Sequence, residues 1–216
     1  MEQATLFGAA YSVYVRIARL AMEEAGMPYR LVEIDVFSKD GLPPDYAARH
    51  PFGKIPAFEH EGFRLFETDA IAQYAVGVTG NRSLLPDSPR ERSRVLQIMR
   101  IMDNYAYPSL VWGLFVGEVE NGRPAEGDEI ASARNVLAAL DSLKGAPFLA
   151  GKDVTLADLW AAPMFAYLRL APAGRRLLGE FPALRDWADL IFARPSLAAT
   201  RFPAELAAEE DPSSGG

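Results

Sequence analysis

The chain has 216 residues, half hydrophobic and 24% charged, which suits one large globular domain or two modest ones. A net charge of −7 excludes a nucleic-acid surface built on bulk positive charge, and no apolar run reaches the length of a membrane span. With no cysteine and only His50 and His60 as histidines, protein-borne thiol redox chemistry is excluded, any thiol must be brought in, and no metal site is expected.

In chain order, Thr5-Leu6-Phe7-Gly8 reads as a first strand. Ser12 to Glu24 suits a helix with Val13, Ile17, Leu20 and Ala21 on its buried stripe, closed by Gly26 and Pro28. Tyr29 to Val36 alternates as a second strand, and Phe37 to Arg49 is loop-like. Pro56-Ala57-Phe58-Glu59, the turn His60-Glu61-Gly62 and Phe63-Arg64-Leu65-Phe66 form a predicted hairpin. A proline at that entrance restricts the strand to an edge or makes Pro56 its first residue. Asp69 to Ala75 has helical spacing, with Thr68 as the predicted N-cap. Free N–H groups at such a helix start favour an anion, and Glu67 beside them offers a counter-charge for an amine. An edge strand next to that helix end suits a small peptide.

Residues 81–89 read as a linker, after which strand signals disappear. Arg90 to Tyr107 is a predicted helix ended or kinked by Pro108, followed by an apolar piece, Leu110 to Val116. Ile130 to Leu143 is amphipathic. Thr155 and Asp158 form a variant capping box at the head of an apolar helix containing Trp160, and are read as structural. Ala204 to Gly216 is small, acidic and unpatterned, and is expected to be a flexible tail. The chain thus divides into 1–80, the linker 81–89, a helical part 90–203 and the tail 204–216.

Phe52-Gly53-Lys54-Ile55-Pro56 followed by Leu65-Phe66-Glu67-Thr68-Asp69 resembles the glutathione-binding motif of the glutathione S-transferase family. The Phe148 to Asp158 stretch resembles that family's capping signature, and Ser12-Val13-Tyr14-Val15-Arg16 resembles the Ser-x-x-x-Arg pattern of its serine-type, phi/theta-like bacterial members. The resemblance implies a thioredoxin-like α/β domain followed by an all-helical domain, a homodimer, and a detoxifying transferase in the cytoplasm, where the lack of a signal-peptide pattern also points. Glutathione is the implied co-substrate and a small electrophile the other, with no metal, nucleic acid or membrane involved.

By the same resemblance Ser12 contacts the glutathione sulfur, with Tyr11 as the rival donor. Ile55 pairs with its backbone, Glu67 takes the γ-glutamyl ammonium, and Thr68 takes the α-carboxylate. Lys54 meets the glycine carboxylate, and Lys39 substitutes for the His-Lys pair usual in phi relatives, where this chain has Gly41 and Leu42. His50-Pro51 stands where Asn-Pro is usual. Tyr11, Tyr107, Trp112 and Phe115 are the expected wall for the electrophile. Glutathione-dependent isomerisation or dehalogenation, and a non-catalytic interaction module, are the alternatives on the same fold.

Overall fold

The computed structural model describes residues 2–210. Its first part is β1 (Ala4–Phe7), α1 (Val13–Ala25), β2 (Tyr29–Val32), β3 (Ala57–His60), β4 (Phe63–Phe66) and α2 (Thr68–Thr79). The strands make one sheet in the order β2-β1-β3-β4, with β1 and β2 parallel and the other neighbours antiparallel. Every residue of the central β1 is buried, and Leu6 stands opposite Phe58, which stands opposite Leu65. The helix α1 starts where Ser12 accepts from the Val15 N–H and stops at Gly26, whose φ of 74° a side chain would oppose. Met27 N–H closes that end on the Met22 carbonyl at 2.9 Å.

Three expectations change here. The second strand ends at Val32, four residues early, because Glu33 and Asp35 turn to accept from the Ala10 N–H and the Tyr11 hydroxyl. The strand entered by Pro56 is no edge: β3 pairs on both sides, and pairing begins at Ala57, after the proline that lacks an N–H. Thr68 is the first residue of α2, and its N-cap is Glu67, held at a φ of 71°.

After an irregular 80–88 the chain is helical: α3 (Pro89–Ile101), a π-helical segment Met102–Glu120, α4 (Gly127–Leu143), α5 (Leu156–Leu170), α6 (Pro172–Gly179), α7 (Pro182–Phe192), α8 (Pro195–Ala199) and α9 (Pro203–Glu210). Pro108 does not interrupt this run as expected. The wider π winding relieves the clash of its ring with the carbonyl one turn back, and the Ser109 hydroxyl donates to the nearby Tyr105 carbonyl at 2.6 Å. The expected tail is corrected as well. Residues 203–210 form α9, because Glu205 pairs with the buried Arg16; 211–216 lie outside the described residues.

The helical core is organised on α5, of which Leu156 to Leu168 are all buried. Its head is the Thr155–Asp158 capping box. Asp158 is fully buried and accepts from the Leu149 N–H (2.8 Å), the Thr155 N–H (2.9 Å), the Thr155 hydroxyl (3.1 Å) and the Trp187 indole (2.9 Å). Burial pushes its carboxyl pKa up despite these donors. The two parts of the chain meet along α1 and α5, and Glu24 of α1 is held by Arg194 (2.6 and 2.8 Å) and Ser196 (2.5 Å).

Replacing Asp158 with alanine leaves several buried donors unmatched, each costing about 1–3 kcal/mol. The expected result is a loss of at least about 2 kcal/mol of stability in denaturant unfolding. A variant that melts like the wild type yet turns nothing over would instead make Asp158 catalytic.

Candidate functional site

A cavity of about 370 Å³ opens where the sheet domain faces the helices. The first part of the chain contributes Tyr14, His50, Lys54, Ile55, Pro56, Glu67, Thr68 and Asp69; the helices contribute Arg100, Asp103, Asn104 and Trp160. Local chemistry explains the placement. The Tyr46 hydroxyl donates to the Lys54 carbonyl at 2.8 Å and fixes the approach to Ile55, which precedes a cis Pro56. The next turn of chain, β3 to β4, delivers Glu67 and the start of α2 to the same place.

The first N–H groups of α2 have no partner within the helix, though that of Ala70 is taken by the Asp69 carboxylate at 2.9 Å, and Thr68 is buried with its hydroxyl donating to the Tyr14 carbonyl at 3.4 Å. A non-glycine residue at a φ of 71° costs about 1–3 kcal/mol, so Glu67 is held in a strained conformation at the cavity's edge. The lining carries Lys54 and Arg100 against Glu67, Asp69 and Asp103. Such a mixed lining matches a zwitterion better than a simple anion.

Eight of the twelve lining residues escaped the sequence reading as site residues. Asp103 accepts from the Trp160 indole at 2.8 Å and pairs with Arg100 at 3.0 Å; burial pushes its carboxyl pKa up, opposed by both partners. Tyr14 is held protonated, first by burial and then by the Asp103 charge. The signals were faint: Arg100 and Asp103 share a helix face at i, i+3, and Tyr14 sits between Ser12 and Arg16. His50 was noted only as a departure from Asn-Pro. It is buried against Phe66, its Nδ1 has no partner, and burial pushes its pKa down.

The structure brings Lys54, Ile55, Glu67 and Thr68 together, and leaves Ser12, Tyr11 and Lys39 off the lining. Ser12 is one residue before α1; accepting from Val15 N–H at 3.4 Å leaves its O–H able to donate. The Tyr11 hydroxyl instead donates to Asp35 at 2.7 Å, and burial with that carboxylate raises its pKa. Lys39 is exposed in the following loop. Tyr107 packs on Tyr14 at 5.0 Å and on Trp112, which is half-exposed. Phe115 is core: its ring is buried against Tyr167 at 4.3 Å, so it presents no face to a ligand.

A larger cavity, about 600 Å³, lies between the π-helical segment and α4. Its charged lining is Asp128 and Glu129 without a cation, so it does not suit a carboxylate ligand.

Two family models match the chain: glutathione S-transferase N-terminal domain over residues 2–77, and glutathione S-transferase C-terminal domain over 123–190. A probable glutathione S-transferase, GSTF1, of Oryza sativa subsp. japonica is 29% identical, the match covering 94% of this chain and 99% of the relative. Poplar glutathione transferase F1 shares the fold at a TM-score of 0.80 and 23% identity, covering 93% and 97% of the two chains. A glutathione S-transferase-I solved with lactoylglutathione does so at 0.78 and 24%, covering 92% and 98%.

The strained Glu67 gives a test of where its conformation comes from. Glu67→Gly removes the strain of about 1–3 kcal/mol and adds about 0.5–1 kcal/mol of unfolded-chain entropy. Thermal unfolding should therefore show this variant as stable as the wild type or up to about 2 kcal/mol more so. A clear loss of stability would mean that the carboxylate holds the fold rather than a ligand.

Proposed function

The chain belongs to the glutathione S-transferase family, and from that premise we propose that it joins the glutathione thiolate to an electrophilic carbon of a small molecule. The observation that carries this reading is the convergence of Lys54, Ile55, Glu67 and Thr68 on one cavity between the two parts of the chain. Glu67 takes the γ-glutamyl ammonium, while Thr68 and the start of α2 take its α-carboxylate. Ile55 offers its backbone to the cysteinyl portion, just ahead of the paired part of β3. Lys54 neutralises the glycine carboxylate, with Lys39 assisting from its exposed loop.

Ser12 is the group that acts on sulfur. A free thiol titrates near pH 8.5, so only about 3% is ionised at pH 7. A hydroxyl donating to sulfur, beside the positive end of α1, favours the anion and raises that fraction. The serine keeps its proton throughout. The Tyr11 hydroxyl, bound to Asp35, is poorly arranged for the same task. The electrophile lies between the two parts of the chain, against Tyr107 and Trp112.

The working form in this proposal is a homodimer in the cytoplasm, where glutathione is kept reduced. The exposed Phe52 and Phe63 of the sheet domain offer apolar surface for contact with a second copy. Retention on immobilised glutathione separates the transferase from an interaction module that has lost the ligand.

Ser12→Ala should raise the pKa of bound glutathione by about 1 unit toward the free value, equivalent to about 1.4 kcal/mol and about three- to eightfold less thiolate at pH 7. Thiolate absorbance of the binary complex against pH reads this directly. Affinity should change little, because the ammonium and carboxylate contacts are untouched, and turnover should recover only in part at alkaline pH. An unchanged bound-thiol pKa with a lower melting temperature would reduce Ser12 to a helix cap.

A further inference from the structure

The start of α1 is fixed from the far end of the chain. Arg16, one turn into the helix, is fully buried and ion-paired to Glu205 of α9. Its Nη2 donates to the Leu197 carbonyl at 3.2 Å, and its Nε approaches the Thr200 hydroxyl at 3.4 Å. The guanidinium lies 4.4 Å over the Phe202 ring, which stacks on Tyr167 at 4.3 Å. The Tyr167 hydroxyl then donates to the Tyr11 carbonyl at 2.6 Å, and the Arg16 N–H donates to the Ser12 carbonyl at 2.9 Å. The contacts therefore converge on the carbonyls on either side of the Ser12 nitrogen and α-carbon.

Glu205 has two duties in this chain of contacts. It is the third residue of α9 and accepts from the Phe202 N–H at 2.8 Å, one half of a capping box, while its carboxylate neutralises Arg16. Neutralising a buried charge needs only a carboxylate nearby. A ring stack and a hydroxyl that continue from that charge to the Tyr11 carbonyl do more, because they fix the peptide that carries Ser12.

We propose that Arg16 and Glu205 are positioning residues for Ser12, through which α9 holds the serine hydroxyl where it meets the bound thiolate. The proposal rests on the reading of Ser12 given above. It makes thiol ionisation depend on a carboxylate that touches neither substrate nor sulfur.

The test is a double-mutant cycle on the full chain with glutathione bound, using wild type, Ser12→Ala, Glu205→Gln and the double variant. Glutamine keeps an acceptor for the Phe202 N–H and removes the charge together with the second acceptor facing Arg16 Nη2. Glu205→Gln should raise the bound-thiol pKa by about 0.5 unit, about threefold less thiolate at neutral pH. Glutathione Kd should hold within about twofold, and the double variant should match Ser12→Ala with no further shift. An unshifted Glu205→Gln beside a shifted Ser12→Ala would overturn the positioning role alone. Equal shifts from Glu205→Gln with and without the serine would overturn it too, since the effect would then bypass Ser12. If Ser12→Ala itself leaves ionisation unchanged, the serine reading fails and the positioning role falls with it. Should Glu205→Gln not fold, Phe202→Leu enters the same cycle, cutting the stack to Tyr167 while leaving the ion pair.

Discussion

The guanidinium of Arg16 lies wholly out of water, and that charge dictates how the two halves of the chain meet. A buried charge without a partner costs about 3–5 kcal/mol, a large fraction of the stability of a domain. Here the partner, the carbonyl and the ring that accommodate it all come from α8, α9 and the residues between them. Arg194 reaching back to Glu24 closes the same seam farther along α1. These contacts tie α1 to the last helices, while α1 also packs on α5.

At the cavity, backbone strain and charge fall on the same residues. Glu67 stands at the N-cap of α2 in a left-handed backbone that suits glycine, and it lines the cavity from there. Around it, Arg100 links Asp69 and Asp103 at 3.7 and 3.0 Å across the junction of sheet domain and helices. Removing a cation here would leave carboxylates crowded together, so the groups around the cavity act as a set.

What the sequence made legible was what neighbours in sequence decide. The Gly26 stop of α1, the hairpin turn and the Thr155–Asp158 cap each depend on residues within a few positions, and each formed as read. That Lys54 and Thr68 come to one cavity was legible for the same reason, since one hairpin carries them. Elements decided by distant partners were not. The loss of β2 beyond Val32 depends on Ala10 and Tyr11, and α9 depends on Arg16. Asp103 and Trp160 enter the cavity only because the π-helical segment and α5 pack together, which no local spacing announces. Phe115 was misread because an apolar helical residue looks the same whether it faces core or cleft.

The separation between Arg16 and Glu205 also bears on how the chain is made. They lie 189 residues apart, and at about 5–20 residues per second a ribosome takes roughly 10–40 s to cover that distance. Throughout that interval the nascent sheet domain carries an arginine whose burial site is missing its counter-charge. The strands and α1 can form early, but α1 cannot sink that side chain until the last helices emerge. The capping loop from Leu149 to Asp158, by contrast, spans 9 residues and can close within about 10–100 ns of leaving the tunnel. Synthesis of this chain thus ends with its N-terminal half still waiting for the contact that completes it.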